Sequence, residues 1–185
     1  TGLAQRGGKV VSHCRLSREP LTGSPRVACG SADVLIGLDP LCASDSVSLR
    51  SLDPKRTRSI VHDVFDPTGR MIAHPEEDYP EVADMLENIA AQGRSMFVVR
   101  AEALADVSFG SGVGANVVLL VASLQRGLLP LSVGAIEGAI RDRGVATEAN
   151  LLALQLGRAV ADDPKLADRL LEDAMPPSVG ADGDP

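Results

Sequence analysis

The sequence predicts an α/β fold: an open, mostly parallel sheet with helices on both faces and a helical C-terminal third. Three observations lead to this class. Short apolar runs end at Asp-Pro steps or at a charged residue, as buried strands of a parallel sheet do. Segments with helical periodicity lie between these runs, and strands that alternate with helices are typical of parallel sheets. Beyond residue 113 the apolar spacing is helical throughout.

Four segments have the patterns of strands. Residues 9–16 alternate apolar and polar side chains, which predicts a half-buried strand. The other three are short apolar runs that stop at a turn or a charged residue: residues 33–38, 59–65 and 96–99.

Apolar stripes and capping residues predict the helices. In chain order they cover residues 41–52, 80–91, 101–105, 113–125, 133–143 and 147–162, and a last helix follows Asp163-Pro164. The helix over residues 113–125 is apolar nearly all round, so it is expected to be fully buried. Residues 1–175 then form one domain, and residues 176–185, with little apolar content, are expected to be a disordered tail.

The composition excludes nucleic acid as the main partner. Three Phe, one Tyr and no Trp among 185 residues leave almost no platform for base stacking. The net charge of -7 also disfavours a phosphate-backbone footprint. Residues 1–62 nevertheless carry nine Lys and Arg against five Asp and Glu, whereas residues 63–185 carry nine against twenty. An anionic ligand is therefore expected in the first third of the chain.

The cysteines and histidines lack the spacing of a metal site. The three cysteines contain no C-x-x-C pair and are interpreted as buried free thiols in a reducing, cytoplasmic environment: Cys14, Cys29 and Cys42. The histidines are expected to be structural or at the surface: His13, His62 and His74. No signal peptide is recognisable, and the longest apolar stretch, residues 117–122, is far too short to span a bilayer. No membrane partner is expected.

One candidate anion site is the turn Arg6-Gly7-Gly8-Lys9. Two glycines allow neighbouring backbone N–H groups to converge on an anion, and the two basic side chains add charge. This interpretation agrees with the positive first third of the chain. The alternative is a flexible approach to the first predicted strand.

Glycines at positions 110, 112 and 114 form a second candidate because they precede a helix. They lack the strand–G-x-G-x-x-G order and a P-loop lysine, so a flexible or closely packed helix entry is the favoured interpretation.

Polar residues at the ends of the predicted strands form a third candidate. Asp39, Asp66 and Arg100 lie there, and α/β sheets bind ligands beyond the carboxyl ends of their strands. The two carboxylates suit acid–base chemistry if they lie close together, although Asp-Pro also commonly ends a strand or begins a helix. No nucleophile elbow, Cys–His pair or metal cluster is recognisable, so no catalytic residue and no metal ligand is assigned.

Several segments also carry a family resemblance through their order and spacing. They are T-G-L-A-Q-R-G-G (residues 1–8), V-S-H-C-R (11–15), A-D-V-L-I-G-L-D (32–39), Asn116, Q-R-G-L-L-P-L (125–131), E-A-N-L (148–151) and L-G-R (156–158). With these segments the chain resembles the gamma subunit or domain of the 2-oxoacid:ferredoxin oxidoreductases. It is most similar to the indolepyruvate:ferredoxin oxidoreductase branch.

The resemblance implies a Rossmann-like domain within an oligomeric complex. Such a complex oxidatively decarboxylates a 2-oxoacid, here favouring an indolepyruvate-like aryl pyruvate, to an acyl-coenzyme A while ferredoxin accepts the electrons. The resemblance implies that thiamine diphosphate with Mg²⁺ and the [4Fe-4S] clusters are held by partner domains, so this chain alone is expected to be non-catalytic. It also implies that this domain supports the thiamine site and binds coenzyme A, with these candidate contacts: Arg6, Gly7, Gly8 and Asn116.

One difference from the family concerns the beginning of the domain. Members of the family begin with a strand, a G-x-G-G-type turn, a helix and a second strand before T-G-L-A-Q-R-G-G. That opening is missing here, so the domain is expected to be incomplete at its N-terminus. Two other functions stay open: a stand-alone Rossmann-like enzyme that uses a dinucleotide, and a non-catalytic assembly domain in which Arg6 and the glycines only pack on a partner.

Overall fold

A small parallel sheet lies between two layers of helices, which confirms the predicted α/β, Rossmann-like class. The structure is a computed structural model that describes residues 10–64, 80–112 and 114–174. The strands follow the same order in the chain and in the sheet: β1 (Val34–Gly37), β2 (Arg58–His62) and β3 (Ser95–Val99). In the parallel register, Ile60 of β2 lies between Ile36 of β1 and Phe97 of β3.

Eight helices lie within the described residues. Two single turns follow β1, one helix precedes β3, and the others follow β3. In chain order they are α1 (Pro40–Ala43), α2 (Ser46–Leu49), α3 (Val82–Gln92), α4 (Ala101–Phe109), α5 (Ala115–Gln125), α6 (Val133–Arg143), α7 (Thr147–Asp162) and α8 (Pro164–Ala174). None of these helices is long and apolar enough to cross a membrane.

The side chains of β2 alternate between two apolar layers. Ile60 contacts the larger layer, which contains α4, α5 and α7, whereas Val61 contacts the smaller layer with α1 and α3. Both side chains are completely buried. This alternation follows from the two-residue period of a strand, and burial of both faces is what a parallel sheet requires.

The larger layer depends on a close approach between α5 and α7. Gly157 of α7 faces the backbone of α5, and a Cβ atom built there would lie 2.6 Å from the Val118 carbonyl oxygen. The same Cβ atom would lie 3.1 Å from Val121 Cβ. Any side chain at position 157 would therefore push the two helices apart.

The predictions for the helical third are largely confirmed. Ser132 accepts a hydrogen bond from the Ala135 N–H at 3.1 Å and begins α6, and Gly144 ends that helix in the left-handed conformation. Helix α7 has the predicted bounds. Asp163 accepts the Lys165 N–H at 3.0 Å and caps α8. The caps chosen from the sequence therefore mark real helix ends.

The strand predicted over residues 9–16 was wrong for the part that is described. Residues 10–16 contain no strand, and the Val10 side chain is 56% exposed. Within the described residues β1 pairs only with β2, so this segment has no strand beside it. It is held instead by separate contacts, such as the Val27 N–H that donates to His13 Nδ1 at 3.2 Å. An alternating pattern specifies the faces of a strand but does not supply its partner.

Three other expectations also need correction. The helix predicted over residues 41–52 is two single turns, because Asp45 accepts the Val47 N–H at 3.0 Å and begins α2. Helix α5 is buried along its middle but not throughout, since Asn116 in its first turn is exposed. The cysteines were expected to be buried, but Cys14 and Cys29 are exposed and Cys42 is half-buried.

Some predictions concern residues outside the described ranges. They are the turn Arg6-Gly7-Gly8-Lys9, the Asp66 turn and the C-terminal tail over residues 176–185.

Candidate functional site

A cleft lies at the carboxyl ends of β2 and β3, where an open α/β sheet is expected to bind ligands. Its volume is about 530 Å³. Strand β2 ends at His62, and β3 ends one residue before Arg100, so both strands contribute to the lining. The ionisable residues of the lining are His62, Asp63, Arg100, Glu102 and Asp106.

His62 connects the end of β2 to the beginning of α4. Its side chain is 5% exposed, and its Nε2 atom accepts the Glu102 backbone N–H at 3.0 Å. The N–H groups of a first helical turn have no partner within the helix, and Arg100 at the N-cap makes no side-chain capping bond. His62 therefore replaces the missing cap. Because Nε2 is the acceptor, neutral His62 carries its proton on Nδ1.

Arg100 connects the end of β3 to α8. Its Nη2 atom donates to Asp168 Oδ1 at 2.5 Å, and the two side chains are 45% and 61% exposed. A salt bridge in such a position contributes little stability, because water screens both charges. It nevertheless directs the guanidinium towards α8, so part of its charge is already compensated.

The carboxyl group of Asp163, directly before α8, has a pKa that clearly departs from its ordinary value. The hydrogen bond from Arg169 to Asp163 at 2.9 Å lowers the pKa of the Asp163 carboxyl, and the backbone N–H groups at the helix start act in the same direction. Asp163 is a helix cap and does not line the cleft.

The charges that line the cleft are mainly negative. Among the described lining residues, Asp63, Glu102 and Asp106 provide three carboxylates against the single guanidinium of Arg100. Such a lining repels a phosphate or diphosphate, because like charges in a partly enclosed site interact more strongly than in water. The cleft is therefore poorly suited to the anionic groups of a nucleotide cofactor.

The three glycines after α4 have structural roles. Gly110 ends α4 with φ +69°, and Gly114 begins α5 with φ +105°, which L side chains rarely adopt. Gly112 lies against α4, where a Cβ atom would be 2.9 Å from Glu102 Cγ. These positions support the closely packed helix entry that the sequence favoured over a phosphate loop.

Asn116 lies in the first turn of α5, directly after this entry. Its side chain is exposed. The next two backbone N–H groups, of Val117 and Val118, donate to the Gly114 carbonyl oxygen at 2.8 and 2.9 Å. The turn thus combines an exposed amide with the positive end of a helix dipole, an arrangement that favours anions.

The structure brings only some of the predicted site residues together. Arg100 lines the cleft, as its place after a strand predicted, whereas Asp39 accepts the Leu41 N–H at 2.8 Å and caps α1. The capping interpretation of Asp39 is therefore confirmed. His62 was missed because its apolar run continues to Phe65, which hid the strand end.

The described residues do not fit the metal groups that the resemblance implies. No group of three or more His, Cys, Asp or Glu in the described ranges is arranged to hold a metal ion. A [4Fe-4S] cluster needs several cysteine thiolates in one place, and the cysteines here are separate.

The parallel sheet, the helices that cover it and the cleft at the carboxyl ends of the strands define a Rossmann-like α/β domain. Domains of this class have many different activities. The family model for pyruvate ferredoxin/flavodoxin oxidoreductase matches residues 1–160, and the chain belongs to this family. It is therefore a component of 2-oxoacid:ferredoxin oxidoreductase machinery, which implies association with other subunits or domains. A search of the curated proteins and a search of the solved structures each found no match.

Proposed function

We propose that this chain is the gamma-type domain of an indolepyruvate-class oxidoreductase and that it binds coenzyme A for the complex. The observation that carries the proposal is the family match over residues 1–160, which includes the basic glycine turn and Asn116. The substrate would be an aryl pyruvate, converted to an acyl-coenzyme A with ferredoxin as electron acceptor. Other domains would perform the bond-breaking.

The distribution of charge supports coenzyme A binding away from the cleft. Coenzyme A is strongly anionic, and the part of the cleft lining that the structure describes carries three carboxylates against one guanidinium. The turn Arg6-Gly7-Gly8-Lys9 and the first turn of α5 with Asn116 offer the opposite polarity. We therefore assign the phosphate contacts to Arg6, Gly7, Gly8 and Asn116.

Partner domains would hold the remaining cofactors. Thiamine diphosphate with Mg²⁺ supplies the electron sink for decarboxylation, and [4Fe-4S] clusters carry the electrons onward. The described residues of this chain present no metal-ligand set for either group. The role of this domain would be to position coenzyme A and to support the thiamine site.

Steady-state kinetics of the assembled complex test the assignment. Arg6→Ala and Asn116→Asp should each raise the KM for coenzyme A roughly tenfold or more, because each weakens a charge-assisted contact. The KM for the 2-oxoacid should stay the same. Arg141→Ala, on the exposed last turn of α6, is the matched control and should change neither constant.

Two results would contradict parts of the proposal. A KM for coenzyme A that is unchanged in both variants would favour the non-catalytic assembly domain. A complex that oxidises pyruvate more efficiently than indolepyruvate would contradict the aryl pyruvate assignment, although family membership would stand.

A further inference from the structure

Five basic residues cluster at the amino ends of β2 and β3, opposite the cleft. We call this cluster the amino-end basic surface: Lys55, Arg56, Arg58, Arg94 and Arg126. The backbone brings them together, because the Arg94 N–H donates to the Thr57 carbonyl oxygen at 2.7 Å and residue 58 pairs with residue 95 in the sheet.

Two of these arginines are held in fixed positions. Arg58 donates to the carbonyl oxygens of Arg126 at 3.0 Å and Gly127 at 3.3 Å, at the end of α5. The guanidinium of Arg126 lies 3.9 Å from the centre of the Phe97 ring. Stacking leaves the N–H edges of a guanidinium available, and a fixed side chain loses less entropy when it binds a carboxylate.

Acidic neighbours compensate this surface only in part. Asp33 lies 3.5 Å from Arg56, and Asp53 caps the turn before Thr57 by accepting the Lys55 N–H at 2.7 Å. Within the described residues, these five cations have two acidic neighbours, which leaves an excess of positive charge there on a chain whose net charge is -7. The excess is concentrated at the end of the sheet away from the acidic cleft.

We propose that the amino-end basic surface docks onto an acidic surface of a partner protein. Interspersed cations and carboxylates suit a protein surface, which presents both signs, better than a uniform phosphate backbone or lipid surface. With three Phe, one Tyr and no Trp, the chain also has almost no aromatic side chains on which the bases of a nucleic acid could stack. Contact through this surface orients the chain on its partner and leaves the cleft at the carboxyl ends of β2 and β3 accessible.

The proposal rests on the proposed function in one respect: the acidic partner is taken to be another component of the oxidoreductase. The test variant is Lys55→Glu with Arg94→Glu, since both side chains are exposed. The control is Arg141→Glu with Arg143→Glu on α6, which changes the net charge equally at exposed positions. Circular dichroism melting establishes that both variants are folded.

The first measurement uses fluorescently labelled poly-L-glutamate as a defined acidic probe at low salt. The test variant should bind it roughly tenfold more weakly than the wild type, whereas the control should stay close to the wild type, because charge reversal acts locally. Equal weakening in both variants would overturn the proposal, since it would show only a net-charge effect. Tighter binding to duplex DNA or to phosphatidylserine vesicles than to poly-L-glutamate would also overturn it.

The second measurement determines the sodium chloride concentration that releases the chain from the assembled oxidoreductase. The test variant should dissociate at lower salt than the wild type and the control, because screening weakens contacts between charges. Equal release of all three would overturn the assignment of this partner. Failure of the wild type to assemble at all would contradict the proposed function, while the poly-L-glutamate result would still judge the surface itself.

Discussion

Gly157→Ala should destabilise the protein although alanine is the better helix former. The new Cβ atom would lie 2.6 Å from the Val118 carbonyl oxygen, whereas ordinary contact begins at 3.4 Å, so α5 and α7 must separate by about 0.8 Å. Overpacking of this kind costs roughly 1–3 kcal/mol. The clash involves backbone atoms, which have no alternative rotamer, so we expect a cost of about 3 kcal/mol.

The gain in helix propensity offsets part of this cost. Glycine to alanine in a helix interior is worth about 1 kcal/mol, so the net loss should be about 2 kcal/mol. For a chain of this size that corresponds to a fall in Tm of roughly 4–8 °C. Thermal and urea unfolding, followed by circular dichroism, measure it.

Gly138→Ala is the matched control for this measurement. Gly138 lies within α6, and a Cβ atom there would have no described heavy atom within 4 Å beyond the neighbouring backbone of its own helix. It should therefore show the propensity gain alone, with Tm unchanged or raised. If Gly157→Ala were as stable as Gly138→Ala, the close approach of the two helices would not be the constraint described here.

Three further predictions concern individual hydrogen bonds. Thr57→Val should lower the free energy of unfolding, measured in urea, by about 1–3 kcal/mol, because the buried hydroxyl accepts the Asp53 N–H and donates to the Ala32 carbonyl oxygen. Thr57→Ser keeps the hydroxyl and should retain most of the stability. His62→Leu should lower the free energy of unfolding by about 1–3 kcal/mol, because it leaves the Glu102 backbone N–H without an acceptor. Glu102→Gln is the control, since it leaves this backbone hydrogen bond intact. An equal loss of stability in both variants would contradict the capping role of His62. The lowered pKa of Asp163 stabilises the fold at pH values above the ordinary carboxyl pKa, and this contribution is lost as the pH falls through the lowered value. Arg169→Gln should raise the pKa of Asp163 in an NMR titration. An unchanged pKa would refute Arg169 as the cause of the shift.

The sequence predicts elements well where a residue at each end determines the boundary. Helix α7 ends as predicted because Asp163, with Pro164, begins a new helix directly after it. Asp45 follows the same rule, although it was not recognised as a cap: the hydrogen bond that it accepts begins α2 and divides the predicted helix into two turns. Helix ends that depend on neighbouring capping residues can therefore be predicted from a single sequence.

Strand pairing and contacts between residues far apart in the chain cannot be predicted in this way. The alternation of residues 10–16 is a strand pattern, but no described strand lies beside it, so the segment stays irregular. His62 is a cleft residue only because β2 ends there and its ring accepts the backbone N–H of Glu102 in α4, 40 positions further along. Of the predicted site residues in the described ranges, Arg100 lines the cleft, Asp39 caps α1, and Asn116 is exposed although its helix was expected to be fully buried.

The contacts around α5 fix the position of its first turn, where we propose that a phosphate of coenzyme A binds. Arg58 binds the carbonyl oxygens at its end, Gly157 fits against its middle, and Gly114 begins it with a Cβ position 3.1 Å from Ala153. Three of the first N–H groups, of Ala115, Val117 and Val118, already donate to the carbonyl oxygens of Gly112 and Gly114, so the proposed phosphate contact depends on the exposed Asn116 amide and on the helix dipole. In the cleft, by contrast, the guanidinium of Arg100, the one cation of the described lining, is already bound to Asp168. Coenzyme A phosphates should therefore depend on Asn116 and not on Arg100, so Arg100→Ala should leave the KM for coenzyme A unchanged.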